Sequence, residues 1–135
     1  MFSGKPSFNY LKKSVEYPQL SSEEQAYLDG PVNEICEMVN DWDVVNNRGL
    51  SDEVWAKFKE HRVFGLLIPK QYGGLEFSAL GNSSIIAKFG SRSSTLAITA
   101  MVPNSLGPAE LLMHYGTDAQ KNYYLPNKQL KSMFN

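Results

Sequence analysis

Between the polar run "LSSEEQ" and the cluster "NNRG", apolar side chains return every three or four residues: Leu28, Val32, Ile35, Met38, Val39 and Trp42. That period places them on one face of an α-helix and argues against a strand, whose side chains alternate every second residue. "LSSEEQ" supplies the helix start, because Ser21 with Glu24, or Ser22 with Gln25, has the spacing of a capping box. Acidic residues in that first turn also suit the helix dipole. Pro31 sits inside the stripe and either kinks the helix or marks a restart, since proline brings no backbone donor. A single apolar stripe has to be covered, and the rest of the chain offers partners of the same period.

A second helix starts near Ser51–Asp52 and runs through "EVWAKFKEHRVF", with Val54, Trp55, Phe58 and Arg62 on adjoining turns and Gly65 placed as its stop. "LLIPKQYGGLEF" follows as a short buried apolar run and a Pro, Gly-Gly turn. A third helix is expected from about Ser78 to Phe89, with Leu80, Ile85, Ile86 and Phe89 apolar. "STLAITAMVPNSLG" has almost no polar face and predicts a helix buried on all sides. "PAELLMHYG" forms a fifth, and Thr117 with Gln120 caps a short sixth, "DAQKNYYL". The expectation is therefore an all-α helical bundle of about six helices. Residues 1–20, broken by Pro6 and Pro18, read as an extended arm, 21–126 as the helical body, and 127–135 as a divergent tail.

Composition excludes several function classes. The 135 residues, 42% hydrophobic, suffice for one domain with a real core. Thirteen Lys and Arg against 14 Asp and Glu leave no concentrated basic face, so nucleic acid is not expected as a partner. No apolar run approaches the roughly 18 residues that span a bilayer. "MFSGKPSFNYLKK" lacks the apolar stretch of a secretory signal. Cys36 is the single cysteine, which rules out a disulfide framework within the chain and makes a reducing cytoplasm the expected compartment.

Self-contained chemistry is also missing from the pattern. His61, His114 and Cys36 stand at no metal-ligand spacing, so no metal is expected. His61 reads as a solvated helix residue, and His114 as a helix-terminal one that favours the dipole. Ser83, Ser84, Ser93 and Ser94 have no base partner, and Gly73-Gly74 belongs to no phosphate-binding loop. Glu76, just after the Gly-Gly turn, is a lone loop carboxylate and reads as a surface charge.

Two segments carry a resemblance. "FGLLIPKQYGGLEF", residues 64–77, resembles the Pro, Tyr-Gly-Gly signature near the front of the acyl-CoA dehydrogenases, and "HYGTDAQKNYYLP", residues 114–126, resembles the segment closing their N-terminal helical domain. "VPNSLGPAELL" fits the helix between them, the spacing matches, and the likeness extends over roughly residues 4–126. The opening "GKPSFNYLKK" through "YPQLSSEEQAYLDGPV" is similar to the large proteobacterial enzymes of fatty-acid β-oxidation.

The resemblance implies a parent flavoenzyme that desaturates a fatty acyl-CoA between its α and β carbons. A glutamate removes the α proton, the β hydrogen leaves as hydride to FAD, and an electron-transfer acceptor reoxidises the flavin. In that family the flavin pocket and the base lie in later domains, so no catalytic and no cofactor-binding residue is expected here, nor FAD bound to this piece alone. The resemblance gives this region one wall of the acyl-chain pocket, with Ala97, Ala100, Met101 and Asn104 sharing a helical face. Plain helix packing is the competing explanation for those four. "NKQLKSMFN" departs from the family after Pro126, so the chain is expected to be the front part of a larger enzyme, inactive alone and prone to self-association. The parent is placed in the cytoplasm or against the bacterial inner membrane. The alternatives are a non-catalytic helical module that binds a protein or lipid, and copies that associate to mimic missing domains.

Overall fold

The computed structural model describes residues 17–105 and 108–128. Among them there is no strand, and the all-α expectation of about six helices holds. Of the arm expected over 1–20, only 17–20 lies among the described residues, and it has no regular structure. Of the expected tail, residues 129–135 lie outside them.

Ser22–Tyr27, Leu28–Val32 and Asn33–Met38 follow one another without a break and form one rod, α1. Its start is the Ser21–Glu24 capping box, with Glu24 N donating to Ser21 Oγ (3.2 Å) and Ser21 N to Glu24 Oε2 (2.8 Å). Pro31 causes no restart. The middle segment is a wider π turn, which absorbs the missing N–H while the backbone stays right-handed helical at Leu28 and Asn33.

The rod buries Val32, Ile35 and Cys36, and Val39 just beyond it is buried too, while Met38 and Trp42 of the expected stripe are exposed. The reason is local. Val39 (ψ 123°) and Asn40 (ψ 115°) are extended, which ends α1 and resets the helical phase before Trp42. A separate short helix follows, α2 (Asp41–Asn47), capped by Asn40 Oδ1 accepting from Trp42 N (3.1 Å) and burying Val44. It stops where Arg48 adopts a left-handed φ of 56°.

α3 (Asp52–Glu60) is capped by Ser51 and turns Val54 and Phe58 inward. It ends earlier than expected, because Arg62 takes the left-handed conformation (φ 56°) that Gly65 was expected to supply. Gly65 instead closes a buried 3-10 turn, Val63–Gly65. α4 (Ala79–Arg92) and α5 (Ser94–Ser105) are joined by the single extended residue Ser93. α6 (Pro108–Tyr115) and α7 (Asp118–Lys128) form the closing pair. Thr117 and Gln120 cap α7 reciprocally, Thr117 N donating to Gln120 Oε1 (2.9 Å) and Gln120 N to Thr117 Oγ1 (3.3 Å).

The main core gathers Val32, Ile35, Phe58, Leu66, Ile85, Phe89 and Leu96. Phe58 stands at its centre, with Phe64 and Phe89 rings 5.5 and 5.6 Å away. Burying each such ring contributes about 2–3 kcal/mol. Ile68, Ala109 and Leu125 form a smaller second core, where α6 and α7 meet the segment before Pro69.

Candidate functional site

Three features are linked through the segment that joins α3 to α4. The first is the turn over residues 63–77. Pro69 sets an extended backbone (φ −57°, ψ 147°), Lys70–Tyr72 make one 3-10 turn, and Gly73 ends it at φ 85°. Gly74 then passes so close to Ile68 that a Cβ there would collide with the Ile68 carbonyl. The returning strand-like stretch is bonded to the outgoing one: Leu75 N to Gly65 O (2.9 Å), Glu76 N to Ile68 O (3.0 Å) and Phe77 N to Leu66 O (2.8 Å). Glu76 is held at a left-handed φ of 55°, and its carboxylate accepts from Lys70 N (3.1 Å). It is therefore a brace of the turn as well as a surface charge.

The second feature anchors this turn. Glu24 is only 5% exposed, and its two oxygens accept from different helix starts: Oε2 from Ser21 N and Oε1 from Ser78 N (2.7 Å). The Ser78 hydrogen bond, with those from Ser21, outweighs burial and holds this carboxyl well below the usual range, at about 2. Gly81 makes room for it, since a Cβ there would lie 2.7 Å from Glu24 Cδ.

The third feature is α5. Asn104 lies in the interior, its Nδ2 donating to Val63 O (2.7 Å) and Ala100 O (2.8 Å) and its Oδ1 accepting from Leu66 N (3.0 Å). Of the four residues singled out from the sequence, Ala100 and Asn104 are thus buried within the domain and Ala97 packs on the core beside Gly90. Met101 faces outward, 38% exposed, beside Ile98 at 54% and Val102 at 41%. The expectation of a helix buried all round is corrected here. One flank of α5 is covered by α4 and the Val63–Gly65 turn, α6 also packs against it, and Ile98, Met101 and Val102 stay exposed among the described residues. A cleft of about 190 Å³ opens at its end, lined by Leu67, Ile68, Pro103, Asn104, Met113 and His114 among others.

The remaining reactive side chains are engaged elsewhere. His61 is not simply solvated, for its Nε2 lies 3.0 Å from Glu34 Oε2, and Lys57 Nζ lies 2.6 Å from the same carboxylate. Tyr27 donates its phenol to His61 O (2.8 Å), and burial pushes that phenol's pKa up. Burial likewise raises the Cys36 thiol, which disfavours a reactive thiolate. His114 is at the end of α6, as its sequence context indicates. Among the described residues no three metal-ligating side chains come together, and no helix is long and apolar enough to cross a membrane.

The Ser21–Glu24 box is legible from its spacing, but the second bond of Glu24, to Ser78 N 54 positions away, is not. A serine three residues before Gly81 signalled only the ordinary N-cap that Ser78 also makes. The Asn104 clamp gave no local signal either, because two of its partners, Val63 and Leu66, lie in another segment.

Comparison with known proteins agrees with this architecture. The family described as "Acyl-CoA dehydrogenase, N-terminal domain" matches residues 23–128. The very long-chain specific acyl-CoA dehydrogenase, mitochondrial, of Mus musculus is 33% identical over 133 residues, covering 93% of this chain and 19% of the relative. Its Homo sapiens counterpart is 32% identical over 117 residues, covering 82% of this chain and 17% of the relative. The chain thus spans about a fifth of the length of these relatives. Matched over most of its residues and folded as the helices require, the chain belongs to the acyl-CoA dehydrogenase family, through that family's N-terminal domain.

Proposed function

We propose that this chain is the amino-terminal helical domain of a flavin-dependent dehydrogenase acting on long-chain fatty acyl-CoA, and that α5 supplies one wall of the acyl pocket. The observation that carries this reading is the uncharged outer flank of α5, with Ile98, Met101 and Val102 exposed among the described residues. Exposed apolar side chains grouped on one face mark a surface built to be covered. In this reading Met101 touches the chain, Ala97 stands at its edge, and Ala100 and Asn104 back the wall from inside.

The Gly-Gly step and four of the helix starts offer no phosphate cradle. Both N–H groups of the one Gly-Gly step are taken, Gly73 N by Lys70 O (2.9 Å) and Gly74 N by Pro69 O (3.2 Å). The first turns of α1, α3, α4 and α7 are each filled by a side-chain oxygen, leaving them no open phosphate cradle. In this reading the flavin, the proton-abstracting carboxylate and the surface that meets the electron acceptor belong to parts of the protein other than these residues.

The test is Met101→Arg in the flavin-containing protein that carries this domain. A guanidinium at the wall should raise KM for palmitoyl-CoA about ten-fold while leaving FAD content unchanged. Unaltered kinetics would remove α5 from the pocket. A second reading, a non-catalytic helical module for a protein or lipid, draws on the same flank together with exposed Leu111 and Tyr115. Tight binding of a lipid by the chain, from a protein with no dehydrogenase activity, would favour it.

A further inference from the structure

The last turn of α5 is weakened by its own sequence. Pro103 lies inside the helix and has no backbone N–H, so the carbonyl of Thr99 lacks the donor that a regular helix supplies. That turn adjoins the exposed Met101 and Val102. Asn104 holds it from the side. Both hydrogens of its amide are engaged, one by Val63 O and one by Ala100 O, and its oxygen is engaged by Leu66 N. The group is buried and has no donor left for a ligand. Its partners tie α5 to the residues that open the Pro69–Gly74 turn, and that turn is fixed in turn by Phe77 N on Leu66 O.

We propose that Asn104 is a positioning residue that locks the end of α5 onto Val63–Leu66, and so sets how far the Ile98–Met101–Val102 wall stands from an acyl chain. This rests on the reading of that wall as acyl-contacting. One methylene in an apolar pocket is worth about 10–200-fold in discrimination. A wall released from its clamp therefore alters the preference between long and short chains more than it alters turnover itself.

Asn104→Asp tests this with little change in shape. The carboxylate can still accept from Leu66 N but is set against the Val63 and Ala100 carbonyls. In the chain itself, amide exchange at Leu66 and Gly65 reports whether the clamp loosens. In the flavin-containing protein, the ratio of kcat/KM for palmitoyl-CoA to that for butyryl-CoA should fall about ten-fold with FAD content unchanged. A purely structural role lowers both substrates equally, and an unchanged ratio overturns the proposal. Should Asn104→Asp not fold, Asn104→Ser is expected to move the ratio in the same direction. Met101→Arg separates the two ideas. If it shifts the ratio and the Asn104 variants do not, only the positioning role fails; if none does, the wall reading fails with it.

Discussion

Replacing Glu24 by glutamine removes one charge while preserving the outline of the side chain, and the structure gives the expected cost. The carboxylate bonds Ser21 N at 2.8 Å and Ser78 N at 2.7 Å, so the start of α1 and the start of α4 share one anion. A hydrogen bond to a charged group is worth about 1.5–3 kcal/mol, and glutamine keeps one acceptor oxygen while turning an NH2 toward the other donor. Linkage gives a second route to the magnitude. A carboxyl moved from 4.5 to about 2 on folding corresponds to at most ~3 kcal/mol, and the acceptor oxygen that glutamine retains reduces the difference to about 2. Both routes put Glu24→Gln at a loss of about 2 kcal/mol near neutral pH.

The pH dependence fixes the cause. Because the folded-state value lies below the unfolded one, this contribution is complete above about 4.5 and is lost as pH falls toward about 2. Wild type and variant should therefore differ fully near neutrality and converge in strong acid. Glu34 and Glu53, whose values are also lowered, contribute to both proteins and cancel in the difference. Urea unfolding followed by far-UV circular dichroism across that range measures it. A gap that stays constant with pH, or one below about 0.5 kcal/mol near neutrality, refutes the argument that the charge on Glu24 joins the two helices.

Two further outcomes follow from the same geometry. Gly74→Ala should lower stability by about 3 kcal/mol in urea, because its methyl meets the backbone carbonyl of Ile68, which is pinned by Glu76 N and cannot yield; a loss under about 0.5 kcal/mol would contradict the packing of that turn. The open flank of α5 should drive self-association of the isolated chain, so its sedimentation mass should rise with concentration and fall back in Ile98→Glu. A wild-type chain that stays monomeric throughout would count against an apolar face left to be covered.

Much of the domain was legible along the chain because helices are local objects. The caps at Ser21, Ser51, Ser78 and Thr117 sit within three residues of the groups they satisfy, so spacing alone places four helix starts. The turn at Pro69 and Gly73-Gly74 was equally plain, since few residues other than glycine accept those backbone demands. Periodicity failed where the helix did: extended Val39 and Asn40 reset the phase and left Trp42 outside, while Met38, in the last turn of α1, is exposed as well. The helix stop at Arg62 was also hidden, because arginine carries no left-handed signal of its own.

Burial and polar pairing were decided by tertiary structure. An apolar helix such as α5 states that its faces avoid water, but only packing against α4 and the Val63–Gly65 turn selects which face is covered within the chain and which stays open. Asn104 and Glu24 are polar residues whose buried bonds reach 38 to 54 positions along the chain. A buried polar group is stable only when those distant partners arrive, and sequence spacing carries no record of them. The order of helices was therefore written in the amino acids themselves, while the clamp beneath α5 and the apolar flank it leaves exposed among the described residues exist only once the chain has folded around them.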